Sequence, residues 1–133
     1  MCGIVAVVRR PSGRAVPDGS ALVADLDESI RLVEGVDRTG ADPAAALGVA
    51  GEHIEAVDAL LRGAPGVRCL LGDRTATVAI EHRAGTLQQS VDRLEAELDA
   101  GTAGVAPGEW EAVNAAVVRL KDAVWALARD RLR

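Results

Sequence analysis

The sequence predicts a mainly α fold, a helical bundle of about four helices preceded by one short N-terminal β-strand. Three observations predict it. Beyond residue 20 the apolar residues recur at steps of three and four, the period of a helix with one face in a core. Gly and Pro cluster between these stretches, where chain reversals belong. The only aromatic residues are Trp110 and Trp125, so a core must be built from Leu, Val and Ile with abundant Ala, a mixture suited to closely packed helices. With 133 residues there is room for one domain with a sizeable core.

Residues 3–8, GIVAVV, form a continuous apolar run rich in β-branched side chains and bounded by Arg9, Arg10 and Pro11. That is the pattern of a strand buried on both faces, which needs partner strands. PSGRAVPDGS follows as a loop. From Ser20, a candidate cap, Leu22, Leu26, Ile30 and Val33 share a helical face until Gly35. Asp42 and Pro43 then predict the cap and first residue of a second helix, with Leu47, Ile54, Val57 and Leu61 on its apolar face and Gly63 and Pro65 as its stop. Residues 67–71 read as a short apolar turn. Asp73 is expected to cap a long helix reaching about Ala100. The β-branched content of residues 75–80 and Gly85 leave a strand open as the alternative for its first part.

Gly101, Gly104, Pro107 and Gly108 predict a turn before the last helix. There Trp110, Val113, Val117, Leu120, Val124 and Leu127 make a seam of nearly three heptads. The last two helices should form a hairpin packed by such seams, with self-association through that face as the alternative. The chain thus divides into a strand over residues 1–9, a linker over 10–19 and a helical domain over 20–133.

Composition excludes several functions. A formal net charge of −5, with 15 basic and 20 acidic residues, argues against a broad phosphate-binding surface, and two Trp residues make no stacking platform for single-stranded nucleic acid. No stretch approaches the roughly 20 apolar residues of a membrane span, so no membrane partner and a cytoplasmic location are expected. Two cysteines, Cys2 and Cys69, are too few for a disulfide framework and are expected as thiols. His53 and His82 each stand beside a Glu but outside any metal-binding spacing, and no phosphate-binding Gly-rich loop occurs, so neither metal nor other cofactor is expected. Cys69, among apolar neighbours, reads as packing.

The chemistry concentrates at the start, where Met1 precedes Cys2, Gly3, Ile4 and Val5. Cys is small enough at the second position for the initiator Met to be removed. Cys2 would then carry both a thiol and a free α-amine, whose reference pKa of about 7.7–8.0 lets it accept a proton near neutrality. Nucleophile and base would be held together by covalent geometry, directly or through one water, and no His is required.

MCGIV followed by AVV resembles the N-terminus of the class II glutamine amidotransferases, within the N-terminal nucleophile hydrolase superfamily. It is most similar to the glutamine:fructose-6-phosphate aminotransferases, also called glucosamine-6-phosphate synthases. The resemblance implies that Cys2 is the catalytic residue: it attacks the side-chain amide of glutamine, ammonia leaves, and water releases glutamate from the thioester. Gly3 would let the backbone approach the site. The ammonia would pass to a sugar phosphate such as fructose 6-phosphate in an isomerase domain. The resemblance spans residues 1–8 of the 133. The rest has no counterpart of the family's Tyr-Arg-Gly, Thr-His-Thr-Arg and His-Asn-Gly segments. Asn114 is followed by Ala115 on a helix, not by Gly, and is no oxyanion donor. Loss of one such donor typically costs about 2.7–4 kcal/mol of transition-state stabilisation. The implied organisation is the first strand of a glutaminase sandwich, then a helical insertion, with the remaining site supplied by further polypeptide; by itself the chain is expected to be inactive. The alternative from another class is a non-catalytic helical interaction or oligomerisation module.

Overall fold

The computed structural model of the protein describes residues 11–36 and 42–132. The expected strand over residues 1–9 and Cys2 lie outside the described residues. Those described are mainly helical: α1 (Gly19–Glu34), α2 (Pro43–Leu60), α3 (Gly63–Gly72), α4 (Arg74–Asp99), a single 3-10 turn (Pro107–Glu109) and α5 (Trp110–Asp130).

Three of the four long helices begin on an aspartate that satisfies otherwise unpaired backbone N–H groups of the first turn. Asp18 accepts from the N–H of Ser20, Asp42 from those of Ala44 and Ala45, and Asp73 from that of Ala76. The cap of α1 is therefore Asp18 rather than Ser20, whose hydroxyl also donates to Asp18. Residues 75–80 are helical. Thr77 escapes the usual penalty of a hydroxyl in a helix because it is buried and donates to the carbonyls of Leu70 and Asp73. Gly85 is accommodated without a break in α4.

Contacts between side chains fix the directions of the helices. Asp25 meets His53 and Ser29 donates to the Ala50 carbonyl, so α1 and α2 are antiparallel. Asp27 pairs with Arg83 and Glu34 accepts from Ser90, so α1 and α4 run parallel. Glu95 pairs with Lys121, while Glu81 faces Arg129 and Leu132 across a groove, so α4 and α5 are antiparallel. Around the bundle the order is α1, α2, α5, α4, and α5 packs on both α2 and α4.

This order explains the fifth helix. α2 and α4 stand diagonally across the bundle, farther apart than the 8–10 Å of adjacent helices. A ten-residue helix rises about 15 Å and spans that diagonal. The apolar turn expected over residues 67–71 is thus part of α3, and the bundle has a short helix beyond the four long ones. The same signals that end α2 begin α3. Gly63 turns the chain with φ 71°, and Pro65 falls in the first helical turn, where its missing N–H is no loss.

The core is aliphatic. Leu22 and Leu26, Leu47 and Ile54, Ile80 and Leu87, and Val113 and Leu120 are all shielded from solvent. Each such side chain contributes about 1.5–3 kcal/mol of burial. The expected seam of α5 is buried from Val113 through Leu127, with Trp110 half-buried at its start. That face is used inside the bundle.

Candidate functional site

Directions of the helices bring the beginnings of α1 and α4 and the ends of α2 and α5 to one pole of the bundle. Two arginines fasten the incoming and outgoing chain to the last turn of α2. Arg14, in the segment leading to α1, donates to the carbonyls of Ala59, at 2.8 Å, and Leu60, at 3.1 Å, and also to that of Arg62. These carbonyls lie at and just past the C-terminus of α2, where a cation is favoured, and that of Ala59 also accepts from the Arg62 N–H. Arg131, just beyond α5, donates from Nε to Asp58 Oδ1 at 2.8 Å, and Arg62 donates from Nε and Nη2 to Asp58 Oδ2 at 3.0 and 2.7 Å. The Asp58 side chain is only 7% exposed, so the two guanidinium groups replace the water that its carboxylate has lost.

Among the described residues, the titratable side chains singled out in the sequence are not brought together. Cys69 is a free thiol buried on α3. Burial, and then the nearby carboxylates of Asp73 and Asp18, push its pKa up, which disfavours the nucleophilic thiolate. His53 Nδ1 lies 3.3 Å from Asp25 Oδ1 at the α1–α2 contact. His82 is exposed on α4, where its carbonyl accepts from the Thr86 hydroxyl. Among the described residues no three His, Cys, Asp or Glu side chains are placed to hold a metal ion. No described helix is long and apolar enough to cross a membrane. Asn114 is exposed on α5.

Hollows mark the flanks of the described bundle. Between α1 and α4, a polar one of about 200 Å³ is lined by Glu34, Arg93 and Glu97, with buried Ser90 donating to Glu34. Between α4 and α5, a groove of about 510 Å³ has Ala84, Gly85 and Ala128 among its lining residues and Trp125 on its wall. The Arg129 guanidinium lies over the Trp125 ring, 4.8 Å from its centroid.

Sequence reasoning missed Asp58 and Trp125, although each left a trace. Asp58 falls one turn after Ile54 on the apolar face of α2, where an acid must find a buried partner. Val118 and Trp125 are seven residues apart and off the core seam, a second apolar row on α5. No protein-family description, curated protein or solved structure compared with the chain matches it.

Proposed function

We propose that the chain is the N-terminal portion of a glutamine-hydrolysing class II amidotransferase, of the kind that aminates a sugar phosphate such as fructose 6-phosphate. Residues 20–133 form a helical insertion after the first strand of its glutaminase domain. The observation that carries this reading is the Cys2-Gly3 pair directly after Met1 and before an apolar β-branched run. The helical unit supports it with compatible geometry. An insertion must leave its host where it entered, and here Arg14 and Arg131 hold the incoming and outgoing chain on the same turn of α2. A host loop could carry the bundle without its flanking strands being pulled apart.

In this reading Met1 is removed, the α-amine of Cys2 takes the thiol proton, and the sulfur attacks the amide carbon of glutamine. The same proton goes to the departing ammonia. Water then breaks the thioester, returning the thiol and releasing glutamate. The groups that grip glutamine and stabilise the oxyanion come from further polypeptide, together with the sugar-phosphate isomerase domain, so this chain alone is inactive. The reaction belongs to the cytoplasm and draws on no cofactor.

The test is mass spectrometry of the native full-length product, with and without a glutamine-mimicking electrophile such as a diazo-ketone amino acid. Loss of Met1 and a single adduct on Cys2, absent in Cys2→Ala, are expected. Retention of Met1 overturns the reading, because an acylated α-nitrogen cannot act as the base. The module alternative is not favoured through the α5 seam, which is consumed by core packing.

A further inference from the structure

The α1–α4 hollow is a charged space that the amidotransferase reading leaves without a role. Ser90, Arg93 and Glu97 bring one stripe of α4 to it, and Glu34 comes from the end of α1. Ser90 is only 5% exposed, and its hydroxyl donates across to Glu34 Oε1 at 3.1 Å, whereas Ser29 and Thr77 bond back to carbonyls of their own helices. The Glu34 carboxylate is thereby held at the hollow. Arg93 and Glu97 stand one turn apart, the spacing of an ordinary helical ion pair, yet neither side chain has a hydrogen bond or ion pair among the described residues. Along the bundle the charges alternate. At a rise of about 1.5 Å per residue, Arg93 lies about 4.5 Å beyond Ser90, which marks the level of Glu34, and Glu97 lies about 6 Å beyond Arg93. The order is negative, positive, negative, with one negative charge in excess. Glu34 is also the last residue of α1, where the helix end itself favours a cation. Between the charges the floor is apolar, made by buried Val33, Val36 and Leu94. The volume of about 200 Å³ falls short of the roughly 300–1,000 Å³ of sites for drug-sized molecules, so an occupant is small.

We propose that this hollow binds a basic α-amino acid of the lysine or ornithine type. The α-ammonium sits on Glu34, beside the Ser90 hydroxyl, whose lone pairs accept from no group among the described residues. The α-carboxylate takes the Arg93 guanidinium, a donor fork that fits a carboxylate. The side-chain ammonium reaches Glu97. A flexible stem of a few methylene groups covers the distance from Arg93 to Glu97 and rests on the apolar floor. The single excess positive charge of such a ligand meets the single excess negative charge of the hollow. A neutral amino acid leaves Glu97 without a partner, and a diamine leaves Arg93 without one. Charge pattern and spacing together therefore select this class. The site lies toward the end of α1, away from Arg14 and Arg131, and does not depend on the amidotransferase reading.

Titration of the isotope-labelled full chain with L-lysine, followed by NMR, tests the proposal. A dissociation constant of about 0.1–10 mM is expected for so small a ligand, with amide shifts concentrated at residues 33–36 and 90–97. L-norleucine, which lacks the side-chain amine, and cadaverine, which lacks the carboxylate, should each bind at least about tenfold more weakly. Glu97→Gln should abolish the advantage of lysine over norleucine and keep its advantage over cadaverine. Arg93→Gln should do the reverse. Arg93 is exposed and Glu97 half-buried, so the circular dichroism of both variants should match that of the parent. Absence of shifts at about 20 mM L-lysine overturns the proposal. So does cadaverine binding as tightly as lysine, which would show only an acidic flank attracting cations, or lysine binding undiminished in both variants.

Discussion

Asp58 is a buried carboxylate bonded to Arg62, just past the end of its own helix, and to Arg131, 73 residues away, just beyond α5. Arg62 remains largely exposed while Arg131 is mostly covered, so the loss of Arg131 leaves a charge that solvent reaches poorly. Arg131→Met should keep much of the packing of the stem and lower stability by about 1–3 kcal/mol in urea denaturation. Cys69 supports a prediction of opposite character, because its thiol is held neutral. Its raised pKa means the folded state keeps the proton after the unfolded chain releases it at about pH 8.5. The stabilisation is therefore full below the ordinary thiol range and is lost as pH rises through it towards the raised value. Between about pH 8 and pH 10 the urea midpoint of the native chain should fall more steeply than that of Cys69→Val. At neutral pH, iodoacetamide should leave Cys69 unmodified in the folded protein and alkylate it in urea. Rapid native labelling of Cys69 would show that the face of α3 carrying it is not packed against the bundle.

α3 owes its place to a backbone contact that only glycine permits. A Cβ on Gly66 would sit 1.9 Å from the Leu61 carbonyl oxygen, a main-chain atom that cannot swing aside. Gly66→Ala should push α3 off the end of α2 and cost about 1–3 kcal/mol, whereas Gly48→Ala, within α2 and open to space, should gain up to about 1 kcal/mol. Chemical denaturation of the two variants checks the opposite signs. Leu120, wholly buried on the α5 seam, gives the companion test for that helix: Leu120→Asp should unfold the chain, as loss of cooperative thermal melting and helical dichroism. These elements also show what the sequence makes legible. α5 could be read because its buried residues repeat at the helical period over 21 residues, α1 because Leu22, Leu26, Ile30 and Val33 share one face although its cap was read as Ser20, and α2 because Asp42 stands where a first turn needs an acceptor. α3 could not, since a ten-residue helix opened by Gly-Ala-Pro-Gly carries the local signals of a turn, and only the diagonal placement of α2 and α4 calls for it. Cys2, outside the described residues, could be singled out because the chemistry proposed for it depends on position in the chain. The fastening of Asp58 by Arg131 was not, because no local pattern pairs residues 73 apart.

The four long helices alternate in direction, so the chain must leave the bundle at the pole where it came in. Arg14 and Arg131 narrow this further by tying both segments to residues 58–62. That geometry makes a prediction about connectivity which holds whatever chemistry Cys2 performs. Joining residue 132 to residue 11 through about eight Gly and Ser residues, which span roughly 15 Å, should close the chain without strain. New ends can then be opened between Gly104 and Val105, in the non-helical connection after α4. The permuted chain keeps every long helix intact, and it retains Arg14, Asp58 and Arg131. Its helical dichroism should match that of the parent, and its unfolding free energy should lie within about 2 kcal/mol. Lengthening the linker to about sixteen residues should then lower stability by only about 0.6 kcal/mol, the entropy of a doubled loop. If the short linker unfolds the protein and the long one rescues it, the two ends are not neighbours, and the bundle could not be carried by a single host loop.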